Sequence, residues 1–159
     1  MYLFFDTETT GFLPKGRMTQ LAFQLYNSVG ELLYEYESLI KPDGWVVPKE
    51  QFFIDNNMST ERCEAHGVPV YEALRELQDN LKLATWKIAH NMAFDKQIVS
   101  KEIELAGIEP AVFKFKKEFC TMLSTIDYVK ALNKLGKPGK RPNLQELHNK
   151  TLGCDFVGA

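Results

Sequence analysis

At 159 residues the chain suits a single domain, long enough to bury its own core. Its 45% hydrophobic and 25% charged residues, with a mean hydropathy of −0.25, fit a folded soluble protein. No apolar run approaches the roughly 18–20 residues of a membrane span, and a net charge of −2 argues against a dedicated duplex binder, which carries a basic surplus.

The N-terminus, Met1 to Phe5, has no basic leader and runs at once into Asp6, so it does not read as a signal peptide. Tyr2 to Phe5 is a short apolar and aromatic run, a buried strand that delivers Asp6 to a sheet edge. Gln20 to Tyr26 alternates and predicts a half-buried strand, Asn27 to Gly30 is turn chemistry, and Leu32 to Ile40 is the return strand of a hairpin closed by Pro42-Asp43-Gly44. After a loop through Pro48, Ser59 and Thr60 are helix caps. Val70, Leu74, Leu77 and Leu81 mark an amphipathic helix over 70–84, and Trp86 to His90 is a fourth strand. Phe94, Ile98, Glu102 and Leu105 mark a further helix, ended by Gly107. Val112 to Phe119 is basic and aromatic, with no element assigned to it. A helix is predicted over 122–132, a loop over 137–142, and a last helix from Leu144 capped by Asn143. Strands followed by helices interleaved with further strands give an α/β domain.

Three cysteines, Cys63, Cys120 and Cys154, form no close pair, which speaks against a zinc site or disulfide framework and for reduced thiols in a cytoplasmic protein. Lysines gather in the second half: Lys114, Lys116, Lys117, Lys130, Lys134, Lys137 and Lys140, with Arg141. A local basic face within an acidic whole is therefore expected. The runs Lys114 to Lys117 and Lys137 to Arg141 read either as phosphate-tracking segments or as solvated loops.

The chemistry concentrates in Phe5-Asp6-Thr7-Glu8-Thr9-Thr10-Gly11. Residues two apart on a strand share a face, so Asp6 and Glu8 project together. Two carboxylates so placed repel each other, and a hard divalent cation such as magnesium or manganese resolves the conflict. The bland alternative is a polar strand end with Asp6 in a turn and Glu8 facing water. Gly11 lets the backbone turn and leaves room for an approaching group. The second string is Ala89-His90-Asn91-Met92-Ala93-Phe94-Asp95. Here Asp95 falls in the first turn of a helix, where the helix field favours an acid, and Asn91 is either a cap or a substrate contact. Phe12 and Leu13 can wedge against a terminal base, and His66, read at the start of a helix, is a substrate contact or a solvent-facing turn residue.

Together these strings resemble the first two motifs of the DnaQ-like DEDD 3′–5′ exonucleases, a family that includes the polymerase proofreading subunits, and the chain resembles the polymerase III epsilon-type domains among them. The hairpin, Ala65-His66-Gly67-Val68 and Asn143-Leu144-x-x-Leu147 extend the likeness over nearly the whole chain. The resemblance implies a ribonuclease H-like fold with a five-stranded mixed sheet flanked by helices. It also implies Asp6, Glu8 and Asp95 as catalytic ligands of two Mg²⁺ or Mn²⁺ ions. Thr9, Thr10, Gly11, Phe12, His66 and Asn91 would line the substrate. The expected partner is a single-stranded or frayed 3′ end of DNA or RNA, within a polymerase or repair complex. The family completes its site with His-x4-Asp or Tyr-x3-Asp on a later helix, and no such motif follows the last segment here (Asp95 lies at that spacing from His90 but belongs to the second motif). Phe156 to Ala159 resembles the stretch before the histidine of the histidine branch. We therefore expect one exonuclease domain over 1–159, cut before its third motif and weak or inactive in this form. The competing expectations are a non-catalytic nucleic-acid-binding module and a scaffold domain.

Overall fold

The computed structural model describes residues 1–154. Five strands form one mixed sheet in the order β3-β2-β1-β4-β5. They are β1 (Tyr2–Thr9), β2 (Met18–Tyr26), β3 (Leu32–Leu39), β4 (Trp86–Ala89) and β5 (Lys117–Cys120). Strand β2 runs antiparallel to both of its neighbours, β1 and β3, while β1, β4 and β5 are parallel. The parallel set delivers its carboxyl ends to one rim of the sheet, so Asp6 and Glu8, then Ala89, then Cys120 share that rim. This is the five-stranded mixed sheet that the resemblance implies.

Side chains alternate along β1: Leu3, Phe5 and Thr7 are buried, whereas Tyr2, Phe4 and Asp6 face outward. The strand expected to be buried throughout is thus buried on one face only. That buried face meets Leu21, Phe23 and Leu25 of β2 and the apolar stripes of α3 (Val70–Leu83) and α4 (Met92–Leu105). Phe113 of α5 (Ala111–Phe115) packs edge-on against Phe5. Lys87 of β4 is also on this side and wholly enclosed. Its ammonium is held by the Phe113 carbonyl, the Phe113 ring and Glu118.

Three further expectations change. The segment after Pro48 contains a short helix, α1 (Gln51–Asp55), ahead of α2 (Thr60–His66), whose cap Ser59 accepts from the Arg62 N–H. The unassigned Val112 to Phe119 stretch supplies both α5 and the fifth strand, because its alternating Lys117-Glu118-Phe119-Cys120 pairs along β4. The helix expected over 122–132 is broken into α6 (Thr121–Ser124) and α7 (Ile126–Val129), and Lys130 in the left-handed region ends it. The β-branched Thr121, Thr125, Ile126 and Val129 weaken helix propagation there. The last helix, α8 (Leu144–Leu152), begins as predicted, with Asn143 and Glu146 forming a reciprocal capping box.

Candidate active site

The site is built where β1 ends and α4 begins. Strand alternation turns Asp6 and Glu8 to one face and Thr7 to the other, toward α4. Asp95, in the first turn of α4 and 2% exposed, meets Thr7 there. Its Oδ1 accepts from the Thr7 N–H at 3.1 Å and from the Thr7 hydroxyl at 2.8 Å. A residue 88 positions away is thereby held against the one residue that separates Asp6 from Glu8.

All three carboxyls are pushed above the ordinary carboxylate range. For Asp95, burial comes first and the negative Asp6 second; against the opposing pull of Thr7 they raise it to about 7. Asp6 keeps an open surface but is crowded by protein, and that loss of water raises it while the Thr7 N–H and His90 pull it down. Glu8 is raised by burial and then by Asp6. Asp6 is the common electrostatic neighbour of Glu8, Asp95 and His90. Among the described residues no three His, Cys, Asp or Glu side chains converge closely enough to enclose a metal ion, so the acids are neighbours without forming a closed ligand shell.

The loop from Thr9 to Arg17 is braced from within and from α4. The Thr9 hydroxyl donates to the Gly11 carbonyl, and the Thr10 hydroxyl accepts from the Arg17 N–H. Both threonines named as substrate contacts thus use their hydroxyls within the loop. Gly11 takes φ 142°, and a side chain at Gly16 would sit 2.0 Å from the Gly11 carbonyl oxygen, so only glycine closes the turn. Lys101 of α4 donates to the Pro14 and Gly16 carbonyls. Phe12 stands 82% exposed, with its ring edge-on to Phe94 at 5.8 Å. Leu13, expected beside it as a wedge, instead packs on the core.

Asn91 precedes α4 in the left-handed conformation, φ 67°, which asparagine tolerates, and its exposed side chain caps nothing. The expected cap is therefore absent. His66 closes the last turn of α2 rather than opening a helix, and is exposed. Glu8 forms part of the wall of a pocket of about 240 Å³ with Gln20, Glu37, Phe52, Asn56 and Arg62.

Two features escaped the motif reading. His90 lies next to Asp6, with Nδ1 on the Thr121 hydroxyl at 3.0 Å and Nε2 donating to the Pro142 carbonyl at 3.1 Å. Its place at the end of an apolar strand was the available signal. Glu102 is the second: its carboxylate accepts from Arg17 Nε and Nη2 and from the Met18 N–H. Its seven-residue spacing from Asp95 on one helix face was visible, but a partner at residue 17 was not.

No family model matches the chain, and no curated protein matches its sequence. Solved structures do match. A product-bound exonuclease I superposes with a TM-score of 0.80 at 17% identity, over 99% of this chain and 39% of that one. E. coli exonuclease I in complex with a dA16 oligonucleotide gives 0.77 at 16%, over 95% and 36%. The zinc-bound E. coli exonuclease I–ssDNA complex gives 0.70 at 17%, over 81% and 30%. The chain shares the ribonuclease H-like fold of these proteins and spans about a third of their length. Phe156 to Ala159, likened above to the approach to a third motif, lie outside the described residues. Among the described residues no helix is long and apolar enough to cross a membrane.

Proposed function

We propose that the chain is the core of a metal-dependent 3′–5′ exonuclease of the histidine-branch, epsilon-like type. It would trim the 3′ end of single-stranded DNA or RNA and release nucleoside monophosphates. The observation that carries this reading is the pair of Thr7 hydrogen bonds that hold Asp95 against β1 with Asp6 as its acidic neighbour, on a fold shared with exonuclease I complexed with oligonucleotides. The donor set fits hard divalent ions: every candidate ligand atom is a carboxylate oxygen, and all three groups are raised by burial, Glu8 and Asp95 by the negative Asp6 as well. Asp6, Glu8 and Asp95 would hold two Mg²⁺ or Mn²⁺ ions. Such ions supply activation of a water for in-line attack and stabilisation of the leaving 3′ oxygen. The protein's own part would be to hold Asp95 in place through Thr7 beside the more open Asp6 and Glu8, to offer Phe12 as an apolar face for the terminal base, and to keep the loop rigid through Lys101. Thr9, Thr10, Gly11, His66 and Asn91 are proposed to border the strand. The free cysteines fit a cytoplasmic setting, and a polymerase or repair complex is the proposed context.

The 159 residues contain no third-motif histidine or aspartate, so a general base and a fourth ligand are missing from this set. We expect slow turnover or none from the chain alone. Appending a His-x4-Asp helix should raise trimming of a 3′-labelled oligonucleotide more than tenfold, and equal rates from the two forms would refute the dependence. The same gap favours a second reading, a binding module that keeps the fold without catalysis. Manganese separates the two: a thermal upshift in the wild type that Asp6→Asn abolishes supports the metal site. Oligonucleotide binding with no metal response supports the module.

A further inference from the structure

The two basic runs of the sequence lie at different ends of the molecule. Lys117 is level with Trp86, and Trp86 with Tyr2, so the Lys114 to Lys117 run starts β5 at the rim opposite the acids. Asp6 is four residues farther along β1, about 13 Å at the rise of a strand. All three of that run's cations are already engaged, Lys114 over the Phe115 ring. The Lys116 ammonium holds the Ala84 and Lys82 carbonyls at the end of α3, and the Lys117 ammonium lies over the Trp86 ring.

The segment from Lys130 to Arg141 is different. It carries Lys130, Lys134, Lys137, Lys140 and Arg141 and no acid, in a chain whose net charge is −2. It is a built turn: Asn133 Oδ1 accepts from the Leu135 and Lys137 N–H groups, Asn133 N–H donates to the Lys137 carbonyl, and Leu132 bridges to Pro138. Lys134, Lys137 and Arg141 are exposed, and among the described residues the ion pair in this segment is that of Lys140 with Glu146. Its base is tied to the acid rim, because buried Pro142 accepts from Nε2 of His90, the neighbour of Asp6.

From this placement we infer that the Lys130–Arg141 turn is a phosphate-binding arm. It grips the backbone of a single strand upstream of the nucleotide held at Asp6, Glu8 and Asp95. The arm rests on the nuclease reading for where the strand ends, but not for whether it is cleaved. Lysine and arginine on a braced, exposed turn neutralise phosphates without reading sequence, so the partner is any single-stranded nucleic acid longer than a few nucleotides.

The test is fluorescence anisotropy of a labelled oligothymidylate of about twelve nucleotides, in EDTA, across a salt series, with the full 159-residue chain. Lys134→Ala/Lys137→Ala/Arg141→Ala is compared with Lys114→Ala/Lys117→Ala at the opposite rim. Each lost phosphate contact lowers the log–log salt slope by about 0.7, so the turn variant should lose about 2 in slope and on the order of 100-fold in affinity near 0.1 M salt. The opposite-rim variant should bind as the wild type does, and a labelled dinucleotide should bind all three alike. Equal losses from both variants, an unchanged slope in the turn variant, or wild-type binding to anionic phosphatidylserine vesicles but not to the oligonucleotide would each overturn the inference. Thermal melting of the turn variant checks that it is folded; if it melts low, charge reversal at Lys137 alone (Lys137→Glu) must still weaken oligonucleotide binding at least fivefold. Oligonucleotide binding that depends on the turn, with no thermal response to manganese in the wild type, would count against the nuclease reading and leave the arm standing.

Discussion

Asp95 and Glu102 lie two turns apart on one face of α4, and both are enclosed, at 2% and 1% exposure. The protein treats them in opposite ways. Glu102 receives a guanidinium, with Arg17 Nε at 2.8 Å and Nη2 at 3.0 Å, and the Met18 N–H at 3.1 Å. Asp95 receives two neutral donors from Thr7 and, as its charged neighbour, a second acid, Asp6. Among the described residues no lysine or arginine is paired with it. A buried carboxylate without a cation is costly, and the chain supplies one seven residues away on the same helix. The contrast separates an acid that fastens the loop after β1 from an acid without a cationic partner among the described residues, the one proposed as a metal ligand.

Swapping each acid for its amide puts the contrast at risk. Asp95→Asn should weaken manganese binding at least 100-fold, since even partners behind a ligand are worth 10–100-fold. The metal-free variant should nevertheless melt higher than the wild type near pH 8, because the amide oxygen still accepts from Thr7 and no charge is buried. Calorimetric titration with manganese and metal-free melting curves check both halves. Glu102→Gln should do the reverse. It removes the charge that Arg17 binds in its fork and should cost about 2–3 kcal/mol in denaturant unfolding, below the range for fully buried pairs because Arg17 is partly open to water. Manganese affinity should change much less. Two amides that both destabilise the metal-free protein would erase the distinction.

The pH dependence follows with a definite sign. Asp95 titrates near 7 in the folded chain and near its ordinary value of 3.8 unfolded, so the folded state holds the extra proton between those values. Its contribution is complete below the unfolded value and is lost as pH rises toward 7. Asp6 and Glu8 are shifted in the same direction. Metal-free stability should therefore fall by on the order of 2 kcal/mol from about pH 5.5 to about pH 8. Asp95→Asn should flatten most of that fall, and saturating manganese should reverse it. Stability that rises across this window in EDTA would contradict the assignment of Asp95 as the unpaired acid.

How much of this the sequence carried depends on the range of each interaction. Period-two alternation put Asp6 and Glu8 on one face, and helical spacing put Asp95 in a first turn. Both rest on neighbours within a few residues, and both elements are present. The fifth strand was not legible from the residues because four residues, Lys117 to Cys120, become a strand only through pairing with β4. The helix over 122–132 failed for the opposite reason: its apolar spacing looked helical while its β-branched residues and the left-handed Lys130 broke it. At the site, Thr7 had no reading of its own between the two acids and is the contact that seats Asp95. Arg17–Glu102 and His90–Pro142 join residues 85 and 52 positions apart, and no local pattern announces either.

Thr7→Val offers the finest cut between the two acids. Valine keeps the shape and the strand propensity, and the Thr7 N–H still reaches Asp95 Oδ1, so only the hydroxyl bond at 2.8 Å is removed. A hydrogen bond to a charged group contributes about 1.5–3 kcal/mol and one to a neutral group about 1. The substitution should therefore cost about 1–2 kcal/mol near pH 8, where Asp95 is ionised, and roughly half as much near pH 5.5. With Asp95→Asn as background the pH dependence of the cost should disappear, because the acceptor no longer changes charge. A double-mutant cycle at the two pH values reads this coupling directly. If the cost is the same at both, Thr7 merely packs against α4, and the polar seat that distinguishes Asp95 from Glu102 does not act on its charge.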